Sequence, residues 1–227
     1  MNSYAFDLCG TTCTALPSGA LWLHDHGALC VSDLHLGKSD RIARRSGVML
    51  PPYEIQETLQ KLQRDIAAKK PDMVICLGDS FDDLDAASSL DDNMQRWLTT
   101  MQAGRKWIWI EGNHDPGPVD LGGTHMHETS IGTLTFRHIA TGQRGEVSGH
   151  YHPKYMIAGR SRPAFLYDKC HLILPAYGAY TGGLSAHAPD LRKLFNDQLI
   201  AILTGTKAIP VPVTKTPPPP RRPGRFG

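Results

Sequence analysis

Long apolar runs are missing from this sequence: none approaches the roughly 18 residues that a membrane helix needs. The opening Met1-Asn2-Ser3-Tyr4 has neither the basic start nor the apolar stretch of a secretory signal, so a soluble, cytoplasmic protein is expected. Cysteine is sparse as well. The five present, Cys9, Cys13, Cys30, Cys76 and Cys170, form no C-x-x-C pair, and an odd number suits a reduced compartment better than a disulfide framework. Cys30 and Cys76 lie inside apolar runs and read as small core residues. Nor is there an excess of one charge. With 24 Lys+Arg against 22 Asp+Glu, the formal balance of +2 is too mild to decide on a nucleic-acid partner, and the clustering of charge must do so. What remains is 227 residues, 41% hydrophobic and 20% charged. That is one large globular domain or at most two small ones, which excludes a fibre and, for most of the chain, disorder.

Short apolar runs alternate with turn-rich polar segments. Strands are predicted over 28–32, 73–77, 107–110, 133–136, 146–149, 171–174 and 199–203, with 21–23 pairing back through the turn 24–27. Residues 53–70 read as a helix: Ile55, Leu59, Leu62 and Ile66 recur at helical spacing, Pro51-Pro52 precedes them, and Lys69-Lys70 sits where the helix dipole favours cations. A second helix is predicted over 91–101. Strands and helices that alternate early and give way to strands imply an α/β layered domain, with a mixed sheet or two packed sheets flanked by helices. The domain is expected to span 1–205. Beyond it, 206–227, with its proline run 217–220 and Arg221, Arg222 and Arg225, reads as a disordered basic tail.

Several of the runs end in metal-binding residue types. Asp33-Leu34-His35 follows the first, and residues two apart on an extended chain project to the same side. Gly78-Asp79-Ser80-Phe81-Asp82 follows the second and Gly112-Asn113-His114-Asp115 the third. In open α/β sheets ligands gather beyond the carboxyl ends of the strands, so three such ends would share one crevice. His138 closes the run 133–136, and Gly149-His150-Tyr151-His152 adds two imidazoles. Alone, each fragment is an ordinary turn, helix cap or solvated surface. Five at successive strand ends make a joint signal for metal. Oxygen and nitrogen donors without thiolate suit manganese, iron or zinc, and two ions could share the set if one carboxylate bridges them.

Taken together, Asp33-x-His35, Gly78-Asp79-x-x-Asp82, Gly112-Asn113-His114-Asp115, His138 and Gly149-His150-x-His152 resemble the five successive motifs of the calcineurin-like metallophosphoesterase superfamily. Asp33-Leu34-His35-Leu36-Gly37-Lys38, the Arg-rich stretch to Gly47, Leu50-Pro51-Pro52, Leu174-Pro175-Ala176-Tyr177-Gly178 and Thr181-Gly182-Gly183-Leu184 resemble its bacterial branch of ligase-associated DNA damage response endonucleases, the PdeM type. The resemblance implies a four-layer α-β-β-α sandwich of two mixed sheets flanked by helices. It implies two divalent ions, with Mn2+ expected and Zn2+ or Fe as alternatives: one on Asp33, His35 and His152, the other on Asn113, His138 and His150, with Asp79 bridging. His125 and His127 compete with His138, which is preferred because an apolar strand delivers it, whereas 124–127 follows Gly122-Gly123 and reads as loop. His114 would protonate the leaving oxygen and Asp82 would orient it. Where the superfamily's protein phosphatases carry an arginine this chain has Asp83, which would repel a dianionic monoester and favour a diester.

The resemblance to this branch implies DNA as the partner, along with functional association with a DNA ligase, nuclease and helicase. Lys38, Arg41, Arg44 and Arg45 could run along a nucleic-acid backbone into the site, the last three sharing a face if 39–45 is helical, and a solvated surface is the alternative. The expected function is a DNA endonuclease acting in the DNA damage response. Hydrolysis of a cyclic nucleotide or other small diester, or a non-catalytic metal-binding scaffold, are the competing readings.

Overall fold

The computed structural model describes residues 2–38, 53–82, 90–117, 120–196 and 198–214. Strands β1 (Tyr4–Leu8), β2 (Thr11–Ala15), β3 (Leu21–Leu23), β4 (Ala28–Val31), β5 (Met73–Leu77), β6 (Lys106–Ile110) and β7 (Thr124–Met126) lie side by side in chain order. The first four form an antiparallel meander, and β4 to β7 run parallel. Parallel strands are covered on both faces, which is why β4, β5 and β6 read as unbroken apolar runs instead of alternating ones. One face of this sheet, with Leu29, Val31, Val74, Cys76, Trp107 and Trp109, packs on helices α1 (Glu54–Lys69) and α2 (Asp92–Gln102).

The other face, with Cys30, Ile75, Leu77, Ile108 and Ile110, meets a second sheet through Leu134, Phe136, Val147, Phe165 and Leu172. That sheet contains β8 (Glu128–Ile131), β9 (Leu134–Arg137), β10 (Glu146–Ser148), β11 (Lys154–Ile157), β12 (Arg160–Tyr167), β13 (His171–Ile173), β14 (Ile200–Leu203) and β15 (Ile209–Pro212). Its order is β15-β14-β12-β13-β10-β9-β8, with β11 hairpinned onto β12. The outer face carries a thinner layer, in which Leu191 of the short helix α3 (Pro189–Arg192) packs with Leu166, Ile173 and Leu203. The expected four-layer α/β sandwich of two mixed sheets is thus the observed fold.

Helix α1 buries Leu59, Leu62 and Ile66 on one face and stops where Lys70 turns left-handed (φ 49°) and returns its N–H to the Ile66 carbonyl. Asp91 caps α2, its carboxylate accepting the N–H groups of Asn93 and Met94 at 2.9 Å each, a contact that typically stabilises by about 1 kcal/mol. Two expectations need correction. Residues 124–127, read as loop, supply β7, which completes the parallel ladder beside β6. The tail boundary at 206 falls too early, because β15 pairs antiparallel with β14 and Val213 is buried. Pro210 and Pro212 made this segment look unfoldable, yet an edge strand tolerates residues that cannot donate outward. The rest of the tail lies outside the described residues. Among those described, no helix is long and apolar enough to cross a membrane.

Candidate metal centre

Beyond β4 and β5 the two chains keep pairing after the regular ladder ends. Asp33 N–H donates to the Gly78 carbonyl at 3.2 Å, His35 to Asp79 at 2.9 Å, Leu36 to Ser80 at 3.0 Å, and Asp82 returns to Leu36 at 3.0 Å. These bonds hold a backbone that is otherwise unfavourable. Asp33, His35, Asp79, His150 and His152 all have positive φ, between 45° and 68°, a conformation costing of order 1–3 kcal/mol for a residue other than glycine. The convergence of Asp33 with His35 therefore comes from left-handed turns and not from the alternation of an extended strand. Gly78 is required here by close approach: a Cβ on it would lie 2.3 Å from Nδ1 of His138.

Two groups of donors result, each drawing on both sheets. Asp33, His35 and His152 form one, and Asp79, His138 and His150 the other, each with its ligand atoms within 4.8 Å of one another. In the first, Nε2 of His35 and His152 are 3.3 Å apart and His152 Nε2 is 3.1 Å from Asp33 Oδ1. In the second, His138 Nε2 lies 3.3 Å from His150 Nδ1, 3.3 Å from Asp79 Oδ2 and 3.0 Å from Asn113 Oδ1. Donors bonded to one small divalent cation at about 2.0–2.1 Å stand roughly 2.8–3.4 Å apart, the lower end for octahedral and the upper for tetrahedral arrangements. The observed separations fit. His125 stacks on Trp109 and His127 lines a neighbouring cleft, so His138 is the imidazole brought to the centre.

Hydrogen bonds fix the tautomers. His138 Nδ1 is 3.0 Å from the Leu77 carbonyl, which can only accept, and His35 Nδ1 is 3.0 Å from Asp82 Oδ1. Each ring therefore donates from Nδ1 and turns Nε2 inward, the arrangement typical of metal-ligating histidines. Asp33 is fully buried and accepts from Ser32 Oγ at 2.5 Å and the His150 N–H at 3.0 Å. Burial alone would raise the Asp79 pKa, but the His138 hydrogen bond and charge, with the His114 N–H, hold it well below the carboxylate range. Burial likewise opposes protonation of His138, yet Asp79 and Asp33 together lift its pKa to about 8. Burial and the neighbouring His138 charge push His150 down. A proton on His138 stands where a cation would.

His114 is half-buried, with its N–H on Asp79 Oδ1 at 2.9 Å and its Nδ1 3.0 Å from the Asp82 backbone carbonyl. Asp82 does touch His114, then, but through its main chain, while its carboxylate meets His35; the expected orienting pair is redrawn. Asp115, given no role by sequence reasoning, is buried and accepts from Ser80, Phe81 and Gly112 N–H groups at 2.8, 3.2 and 3.1 Å, tying the second motif to the third. Burial, against those first two bonds, raises its pKa to about 6. Its place in the third motif was the available signal. Lys38 is half-buried at the end of the first motif. Arg41, Arg44, Arg45 and Asp83 lie outside the described residues. A cleft of about 410 Å³ opens beside Asn113 and His138, walled by Glu111, His127, Arg137 and Ile139.

An α/β sandwich that gathers histidines and carboxylates from both sheets around two points is the framework of a metal-dependent phosphoesterase. The chain belongs to the calcineurin-like phosphoesterase family, whose profile matches residues 28–203. It is similar in structure to a nuclease, MPE, of Pseudomonas putida, with 24% sequence identity, a TM-score of 0.75, and coverage of 92% of this chain and 100% of that one. A 93-residue stretch is 34% identical to the Arabidopsis thaliana protein described as probable inactive purple acid phosphatase 14; it covers 38% of this chain and 22% of that relative.

Proposed function

We propose that the chain is a dinuclear-metal-dependent phosphodiesterase that cuts DNA as an endonuclease in the DNA damage response. The observation that carries the hydrolytic part is the pair of donor groups, with separations of 3.0–3.3 Å and inward-facing Nε2 atoms on His35 and His138. Asp33, His35 and His152 would hold one cation, Asn113, His138 and His150 the other, with Asp79 between them. Manganese is the expected metal, ahead of zinc and iron. When bound, such cations neutralise phosphoryl charge and make a water molecule acidic enough to attack near neutral pH.

The chain's own residues do the rest. Donation from His114 Nδ1 to the Asp82 carbonyl fixes the ring, so that its imidazolium form would give the Nε2 proton to the leaving oxygen and be left neutral with Nδ1 still donating. Asp83, which follows Asp82 in the sequence, is expected to disfavour a dianionic monoester. The choice of DNA is supported by the likeness to a nuclease, by the motifs of the bacterial endonuclease branch, and by Lys38, Arg41, Arg44 and Arg45 following the first motif. Association with a ligase, nuclease and helicase belongs to the same proposal.

The test is nicking of supercoiled plasmid before and after chelation, with metal add-back, in competition with cyclic nucleotides at low and moderate salt. Nicking should vanish on chelation, return with Mn2+ and weaken steeply with salt, because only the polymer gains from distant cations. Preferential, salt-insensitive turnover of cyclic nucleotides would replace DNA with a small diester. Metal bound without any hydrolysis would make the chain a scaffold.

A further inference from the structure

The segment Leu174-Pro175-Ala176-Tyr177-Gly178 supplies no donor to either group, yet it is built into the first one. Leu174 N–H reaches the Ser148 carbonyl at 2.8 Å, next to the loop that carries His150. Tyr177 N–H then donates to the Ser32 carbonyl at 2.7 Å, and Gly178 N–H to the Asp33 carbonyl at 3.0 Å. Both acceptors belong to fully buried residues, so the segment satisfies main-chain groups that water cannot reach. Contact is tight enough that a Cβ on Gly178 would lie 2.0 Å from the Leu34 carbonyl oxygen.

Helix α1 grips this segment from the other side. Lys61 Nζ donates to the Tyr177 carbonyl and sits 3.9 Å from the centre of its ring. The Tyr177 hydroxyl donates to Asp65 at 2.8 Å, and Ala179 N–H donates to Thr58 Oγ1 at 3.3 Å. The ring itself is completely buried among the residues between sheet and helices. An ammonium group half-buried against a carbonyl and an aromatic face is a strong local anchor.

We propose that Lys61 and Tyr177 are positioning residues for the first donor group: Lys61 fixes the 174–178 strap, and the strap's N–H groups lock Asp33 in the left-handed conformation that aims its carboxylate at a cation. The inference rests on the metal reading of that group and adds to it residues that touch no cation or substrate. A tether from helix to strap to ligand backbone makes metal affinity depend on a side chain in another layer.

The whole 227-residue chain, freed of metal and titrated calorimetrically with Mn2+, with its melting temperature recorded in parallel, tests this. Lys61→Met keeps the aliphatic stem and removes the donor; it should weaken binding about 10–100-fold, the usual effect of losing a group that orients a ligand. Gly178→Ala should weaken it further, and if that variant does not fold, Lys61→Met decides alone. Gln102→Met is the control, since Gln102 Nε2 donates to the Leu121 carbonyl at 2.7 Å in another part of the same layer. It should lower the melting temperature by at least as much as Lys61→Met and leave Mn2+ affinity unchanged. Wild-type affinity in Lys61→Met, or an equal loss in Gln102→Met, would overturn the positioning role while leaving the metal reading intact. A wild-type protein that binds no Mn2+ would overturn both.

Discussion

The two donor groups differ in how they are enclosed. Asp33 and His35 are 0% and 4% exposed; their backbones are held by the second-motif loop and the strap, and the His35 ring by the Asp82 carboxylate. In the second group His138 and Asp79 are as deeply placed, and His150 is half-buried as His152 is in the first, but Asn113 is exposed and the group opens on the cleft beside Ile139. Among the described residues, the second group differs from the first in opening to a cleft through Asn113. One is suited to a permanently seated cation, the other to one that shares its surroundings with substrate.

Substitutions can break or sharpen that contrast. Asp79→Ala should have the largest effect, because it removes the carboxylate that sits with His138, accepts the His114 N–H and would lie between the two ions. Phosphodiester hydrolysis should fall to the level of the metal-free protein, with fewer ions bound by elemental analysis. His114→Ala should lower the turnover of an aryl phosphodiester by roughly 10²–10⁴-fold, the range for a lost general acid, with both ions retained. Asp82→Ala frees His35 to rotate and should weaken the first site about 10–100-fold, leaving the second unchanged in a Mn2+ titration.

Smaller and reversible is the effect of pH on the second site. With the His138 pKa at about 8, a proton occupies it below that value, so the affinity of this group for Mn2+ should fall by up to about tenfold per pH unit as the solution is acidified. Stability of the metal-free protein moves the other way. The raised pKa contributes about 2 kcal/mol that is fully present below the ordinary value of 6.5 and is lost as pH rises through about 8. Denaturant melts of metal-free protein at the two ends of this window check the sign.

Much of the site was legible because chemistry follows hydrophobicity along the chain: β4, β5 and β6 are apolar runs, β9 buries Leu134 and Phe136 in alternation, and each ends just before Asp33, Asp79, Asn113 or His138. What the pattern could not convey was conformation. Extended alternation brought Asp33 and His35 together on paper, whereas left-handed turns do so in the fold. Asp82 could be assigned to an imidazole but not to the right one, since a turn of unknown geometry separates it from Asp79. Strand β12 escaped notice because Arg160, Arg162 and Pro163 open it and only its second half is buried. Lys61 and Asp65, 112 or more positions from Tyr177, become partners only when the helix layer closes over the strap.

Two cations are proposed where the strand ends of the two sheets meet, and counting them is the most direct measurement. Metal-free protein equilibrated with Mn2+, separated from unbound ion and analysed for metal and chain together, should carry two ions per chain. One ion, or none, would contradict the account.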